Sequence, residues 1–411
     1  MDASRSHGPD PMLWAVCALG IAQITAWGTS YYCLGVLAGP IVKDTGWSSG
    51  LVYFGFTVAL LAMAAVSTWV GHLIDRRGAR GVMALGTLMV SAGLLALSLA
   101  RSEAAWLASW AFLGVAMRLS LYDAAFAALV QVAPSRGRLA ISLLTLFGAF
   151  ASTVFWVLGH YLNEALGWRQ TLAAFAAINL AVCLPLNWFG LARREAAGLA
   201  TPPEERARAT REGPPLAGSA RPLAIALFAL VMSLNGFVFG VVTVQLVPLL
   251  QAAGLAATAA VWVASLKGFA QFGGRLVEIF FGSKLRAIVV GRIAIAVLPA
   301  SFVLLLASGG GIPAILAFTL LMGASQGVVT IVRGAVPLAL FGAQGYGAVL
   351  GLIAAPIVVV NAAAPTLFAL IVEHWGWQAA EAVLLATSAA SCLAMELMAR
   401  WVARQHRASG A

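Results

Sequence analysis

The chain has 411 residues, of which 61% are hydrophobic and only 10% are charged, and its mean hydropathy is +0.92. A soluble domain carries roughly 25% charged residues, so this composition excludes an ordinary soluble protein and predicts a membrane protein. The net charge of +10 does not indicate a nucleic-acid partner, because the basic residues are concentrated in every second loop, as a membrane topology requires.

Twelve apolar runs are long enough to cross a bilayer, since ~30 Å of hydrocarbon takes about 20 residues of helix at ~1.5 Å each. The runs are continuous and do not alternate at period two, which predicts helices rather than barrel strands. The first run is too long for the core of a signal peptide and is predicted to be an uncleaved span. The twelve predicted spans begin near residues 12, 49, 81, 105, 139, 171, 222, 257, 287, 313, 347 and 379.

The loops predict the orientation of the chain. With the amino terminus inside, only Lys43, Arg101 and Arg169 of the basic loop residues face outside. This asymmetry follows the positive-inside rule, so both termini are predicted to be cytoplasmic. The excess of Arg over Lys, with abundant Ala and Gly, is typical of a bacterium of high G+C content and therefore indicates its inner membrane.

One polar stretch divides the chain. Residues 192–221 are charged and rich in Pro and Gly, which predicts a cytoplasmic linker between spans 6 and 7. The predicted domains are an N-terminal six-helix bundle at 1–191 and a C-terminal six-helix bundle at 222–411.

The two halves resemble each other. The turn after span 2 begins at Gly71 and a related turn after span 8 begins at Gly274, while Trp168 before span 6 corresponds to Trp377 before span 12. Both pairs are separated by about half the chain, which indicates a tandem duplication. The predicted fold is an all-α membrane protein with twelve transmembrane helices in two pseudo-symmetric six-helix bundles, and in such repeats the substrate site lies between the halves.

The turn GHLIDRRGAR after span 2 resembles the signature loop of the major facilitator superfamily, Gly-x-Leu-x-Asp-Arg-x-Gly-Arg-Arg. The residues that carry the resemblance are Gly71, Leu73, Asp75, Arg76, Gly78 and Arg80. The resemblance implies a secondary transporter in which this loop acts as a conformational latch. Asp75 would contact the positive amino end of span 11 and so hold one access state.

Two departures from the family distinguish this chain from typical drug–proton antiporters. Span 5 lacks the Gly-Pro pair of those antiporters, and Trp110 stands where an arginine is expected at the outer start of span 4. Both argue against a typical multidrug exporter.

Span 4 carries Arg118 near its centre and Asp123 deeper toward the cytoplasm. At about 100° per residue their side chains lie roughly 140° apart on a regular helix, so we expect that they do not neutralise each other. Two roles are open for Asp123: the resemblance implies a structural partner of Arg76 or Arg80 in the signature loop, and burial of a carboxyl in the membrane allows a proton carrier.

Span 8 has a polar stripe formed by Lys267, Gln271, Arg275 and Glu278. We expect Arg275 and Glu278 to pair near the cytoplasm, which leaves Lys267 deep and alone. Arg118 and Lys267 then lack partners in a place where charges are costly, and the missing partner is predicted to be an anionic substrate.

The remaining candidate residues rest partly on the resemblance, which implies that spans 1, 4, 7 and 10 line the cavity. Arg333 has the alternative of extending to the cytoplasmic surface. The further predicted cavity residues are Gln23, Trp27, Tyr31, Tyr122, Asn235, Gln326 and Arg333.

These features predict a monomeric secondary transporter that moves a small organic anion, such as a carboxylate, by alternating access, coupled to protons or to exchange. The alternative is an efflux permease for a drug, a metabolite or a metalloid. A sensor without transport is a third class. The chain shows no catalytic constellation, metal-ligand spacing or phosphate loop, so neither an enzyme, a metal nor a cofactor is predicted.

Overall fold

The computed structural model describes residues 10–194, 212–309 and 311–408, and it places two six-helix bundles side by side. The first half contains α1 (Pro11–Thr45), α2 (Ser49–Arg77), α3 (Ala79–Leu99), α4 (Glu103–Val132), α5 (Pro134–Leu166) and α6 (Trp168–Gly190). The second half contains α7 (Ala220–Ala252), α8 (Ala257–Phe280), α9 (Ala287–Leu306), α10 (Ile312–Phe341), α11 (346–375) and α12 (377–408). The predicted fold class is confirmed.

Length and hydropathy alone identify ten helical stretches in the described residues as able to cross a membrane. One of them holds both α11 and α12, which are separated by Gly376 at φ 79° and ψ 174°. The helix α8 is not among the ten, because its polar stripe lowers its mean hydropathy. Most of the predicted linker, residues 195–211, lies outside the described residues, and α7 begins at Ala220.

Helices α1, α4, α5 and α6 each contain an irregular stretch, and those of α1 and α4 bear on the site. In α1 the residues Trp27–Tyr31 form a π-helical turn, in which one extra residue is accommodated without breaking the helix. In α4 the chain leaves the helix at Leu121, whose φ of −84° and ψ of −167° are extended. Such irregular backbone is tolerated in a membrane only where protein covers it or where it lines a cavity.

Small residues allow the helices to approach closely. A Cβ at Gly114 of α4 would collide with the backbone carbonyl of Ala59 in α2, so only glycine permits this crossing. A Cβ at Gly71 of α2 would likewise collide with the carbonyl of Gly347 in α11, which belongs to the other half. Close backbone approach therefore holds α2 against both its own bundle and the opposite one.

Because the chain crosses twelve times, residues 10 and 408 lie on the same side of the membrane, called here the terminal side. The amino end of α1 is fixed there by Asp10, which accepts a bond of 2.9 Å from the Met12 N–H and pairs with Arg136 at 2.6 Å. The Arg136 guanidinium lowers the pKa of the Asp10 carboxyl below its ordinary value. The start of α1 is therefore tied to the start of α5.

The apolar cores show where the halves join. On the terminal side, one core contains residues from both halves, for example Phe126 and Ile141 with Val332 and Val336. On the opposite side each half has a core of its own, and of the described residues only a short part of α11, near Val358, reaches across. The two bundles are therefore closed against each other on the terminal side.

We expect Gly114→Ala to destabilise the first bundle, because the added methyl group must displace the backbone of α2. Overpacking of this kind costs about 1–3 kcal/mol. The matched control is Gly81→Ala in α3, where a Cβ would meet nothing within 4 Å. Thermal unfolding in detergent measures both, and equal transition temperatures for the two variants would contradict the close crossing.

Candidate functional site

The break in α4 creates the centre of the site. The first segment of α4 ends at Ser120 and the second begins at Tyr122, with the extended Leu121 between them. The Ser120 carbonyl, which has lost its place in the helix, accepts a bond of 2.8 Å from Nε2 of Gln23 in α1. The second segment starts with the apolar Leu121 as its N-cap, so no side chain caps its amino end.

The break brings Arg118 and Asp123 together. Nη1 of Arg118 donates a hydrogen bond to Oδ2 of Asp123 within the same helix. The expectation that the two residues do not neutralise each other is wrong. It assumed a regular helix with a rotation of about 100° per residue through Leu121, and Leu121 is extended. The extended residue turns the second segment, so that side chains about 140° apart on a regular helix meet.

A second arginine reaches the same carboxylate from the other half. Nη2 of Arg333 in α10 lies 2.6 Å from Oδ2 of Asp123. The alternative that Arg333 extends to the membrane surface is therefore wrong. The structural pairing of Asp123 with the signature loop is also wrong, since Arg76 is exposed and Arg80 bonds the Trp188 carbonyl at 2.7 Å.

This cluster, Arg118, Asp123 and Arg333, carries one negative and two positive charges, and only Arg333 is partly exposed, at 25%. The side chains of Arg118 and Asp123 are only 2% and 4% exposed, a degree of burial that makes each charge depend on its partners. Nε of Arg118 and Oδ1 of Asp123 are buried and have no hydrogen-bond partner within the part of the chain that the structure describes. The cluster is thus short of both negative charge and hydrogen bonds.

Lys267 of α8 is the other basic residue predicted for the cavity. It is half-buried, and its Nζ lies 5.6 Å from the ring centre of Phe239, which provides a cation–π contact. Across residues 10–194, 212–309 and 311–408, no carboxylate lies within ion-pair distance of Lys267.

The lower part of the α8 stripe does not pair as expected. Arg275 does not bond Glu278 but donates from Nη1 to the Thr145 carbonyl of α5 at 2.8 Å. Glu278 instead accepts from Arg138 at 3.0 Å and from Ser142 at 2.8 Å, both also in α5. The prediction of an Arg275–Glu278 pair is wrong, because partners in the opposite half are closer than the neighbour on the same helix.

These contacts form a second connection between the halves, called here the terminal gate and defined by Arg138, Ser142, Arg275 and Glu278. Arg138 also donates to the Gly282 carbonyl at 2.9 Å. Sequence reasoning missed Arg138 and Ser142. The sequence carried little sign of the role of Arg138, because an arginine at the start of a span is also expected from the positive-inside rule.

The signature loop forms a further contact between the two halves. Asp75 accepts from the backbone N–H groups of Gly347 at 2.9 Å and Ala348 at 2.7 Å, at the amino end of α11. A carboxylate in this position satisfies free N–H groups and the helix dipole. Gly78 has φ 81°, a conformation that favours glycine, and ends α2 at the turn.

The other predicted cavity residues fall into two groups. Trp27 and Tyr31 of α1 lie near Tyr122, and Nε1 of Trp27 donates to Gln23 at 3.1 Å. The second group consists of amides with no side-chain partner among the described residues: Asn235 and Gln326, which are buried, and the half-buried Gln271.

Two helical bundles with a charged, incompletely satisfied site between them define a membrane transporter that works by alternating access. None of the described residues form a group of three His, Cys, Asp or Glu side chains that could hold a metal ion.

The chain belongs to the Major Facilitator Superfamily, whose family model matches residues 19–309. Among solved structures, the human organic anion transporter MFSD10 is similar with a TM-score of 0.73 and 17% identity, over 94% of this chain and 100% of that one. FucP in the outward conformation has a TM-score of 0.69 and 14% identity, over 95% of this chain and 99% of FucP. The proton:xylose symporter XylE has a TM-score of 0.69 and 12% identity, over 93% of this chain and 94% of XylE. A comparison with curated protein sequences found no match.

We expect Glu278→Gln to loosen the terminal gate, because Arg138 and Ser142 lose a buried charged acceptor. Backbone hydrogen exchange should rise about tenfold in residues 137–148 and 274–285. The matched control is Glu396→Gln, which removes a carboxylate paired with Arg292 and Arg400, both of them inside the second half. Unchanged exchange in both segments would refute the gate.

Proposed function

We propose that the protein is a secondary active transporter of a small organic anion such as a carboxylate. The observation that carries this proposal is the excess of positive charge among the predicted cavity residues: Arg118 and Arg333 share the carboxylate of Asp123, and Lys267 has no acidic partner among the described residues. An anionic substrate supplies the missing negative charge.

The energetic argument concerns the unbalanced arginine. A charged side chain at mid-membrane costs at least about 2.5–3.5 kcal/mol unless it is paired or faces water. Guanidinium groups present a planar fork of donors that fits a carboxylate, and Nε of Arg118 is still free. A bound carboxylate would therefore relieve an existing cost as well as add hydrogen bonds.

The position of the cluster links binding to transport. Arg118 and Asp123 belong to the first half and Arg333 to the second, so the Asp123–Arg333 pair must break when the halves separate. A substrate anion competes with Asp123 for the same two arginines. Protonation of Asp123 would release them, which couples a proton to the entry of the anion.

The remaining expectations fit the same scheme. Both termini are proposed to be cytoplasmic in a bacterial inner membrane, so the terminal gate closes the cytoplasmic side. The signature loop, through Asp75, is proposed to act as the latch of that closed state. MFSD10, described as an organic anion transporter, has the same fold, so the fold is compatible with substrates of this class.

We expect Arg118→Gln to weaken anion binding and counterflow at least about tenfold, because a charge-assisted hydrogen bond is lost. The measurement is counterflow of labelled carboxylates in liposomes, with anion loaded on either side to establish import or export. Arg292→Gln is the control, since it removes an exposed arginine of the second half. If Arg118→Gln transports like the unchanged chain, the anion site is wrong.

We expect Asp123→Asn to abolish proton-driven accumulation while anion exchange persists. Without its carboxylate, the cluster has two positive charges and no negative one, so a bound anion should also raise the unfolding temperature of this variant more than that of the unchanged chain. Glu373→Gln, at an exposed carboxylate of α11, serves as the control. Proton-driven uptake that survives Asp123→Asn would remove Asp123 from the coupling step.

A further inference from the structure

The helix α4 is enclosed by protein along its inner part. From residue 116 to residue 130 every side chain of α4 is buried except Tyr122, which is half-exposed. Because the rest of this stretch is covered by protein on every side, the exposed part of Tyr122 faces the interior of the transporter. Tyr122 follows the helix break directly and precedes Asp123, so this opening lies at the charged cluster.

Aromatic rings surround this opening. The ring of Trp27 lies 5.0 Å from Tyr122 and 4.8 Å from Tyr31, and Tyr31 lies 4.8 Å from Phe56 at an angle of 88°. Tyr32 lies 6.0 Å from Trp27. These five residues are called the aromatic wall, and all five are half-buried, so none is closed off by the packing of the first half.

The aromatic wall is fixed to the charged cluster by hydrogen bonds. Trp27 donates to Gln23, and Gln23 in turn donates to the Ser120 carbonyl at the break in α4. Ser120 is two residues from Arg118, so the wall and the arginine are held by the same piece of backbone. A molecule whose anionic group bonds Arg118 would extend its body along the wall.

From this juxtaposition we infer that the substrate is an aromatic anion, with a carboxylate or similar group on Arg118 and an aryl ring against Trp27 and Tyr122. The inference rests on the proposed function and specifies the body of its substrate. Aromatic rings prefer edge-to-face and offset arrangements with other rings. These contacts give an aryl group more binding free energy than the burial of its apolar area alone. An aromatic cation does not fit, because Arg118, Arg333 and Lys267 repel it.

The test compares three probes on the purified full chain: benzoate, cyclohexanecarboxylate of similar size, and acetate. Benzoate should bind roughly fivefold to tenfold more tightly than cyclohexanecarboxylate, because only benzoate makes ring contacts, and acetate should bind most weakly. Binding is measured by thermal shift and by inhibition of counterflow, each with Arg118→Gln beside the unchanged chain.

The variant Trp27→Leu should reduce the preference for benzoate over cyclohexanecarboxylate to less than about twofold. Phe56→Leu tests the same wall if Trp27→Leu does not fold. The matched control is Trp69→Leu, since Trp69 is 60% exposed on the outer surface of α2. This variant should keep the full preference.

The two hypotheses fail in different ways. If benzoate and cyclohexanecarboxylate bind equally, with binding that depends on Arg118, the aromatic substrate is wrong and the anion transporter stands. If the preference survives in Trp27→Leu and Phe56→Leu, the wall does not contact the substrate and the inference is overturned. If none of the three probes shows binding that depends on Arg118, the proposed function itself fails.

Discussion

The carboxylate of Asp123 links the two halves, because it pairs with an arginine of its own helix, Arg118, and with an arginine of the opposite half, Arg333. A buried charge is stable only with its partners in place, so this one residue constrains two things at once. It keeps the broken helix α4 in a single geometry, and it joins the two halves at mid-membrane. A ligand or proton that displaces the partners of Asp123 therefore changes both the geometry of α4 and the contact between the halves.

The break at Leu121 is what makes this arrangement possible, and it carries a cost of its own. Backbone groups that leave a helix inside a membrane need new partners, and Gln23 of α1 supplies one to the Ser120 carbonyl. The free amino end of the second segment lies in the enclosed part of α4 without a capping side chain. The irregular backbone, Arg118, Asp123 and the aromatic wall thus occupy the same small region of the first half.

Contacts between the halves differ on the two sides of the membrane. On the terminal side a common apolar core, the signature loop against α11 and the terminal gate all hold the bundles together. Toward the opposite side the cores are largely separate. The polar contacts of the gate and the loop are few and specific, which suits an interface that must open and close, whereas the apolar contacts within each half keep it rigid.

The sequence by itself determined the class of fold, since twelve apolar runs, a repeated turn and a polar linker leave few other arrangements in a bilayer. It also indicated Arg118, Asp123 and Lys267 as candidate functional residues, because charged residues inside a membrane span are costly. The pairing of these charges was decided only by the tertiary structure. Neither proline nor glycine marks the break at Leu121, and a regular helix would have separated Arg118 from Asp123. Arg333 and Glu278 have partners more than a hundred residues away. Such pairs depend on how the bundles pack, and local periodicity carries no information about packing between distant helices.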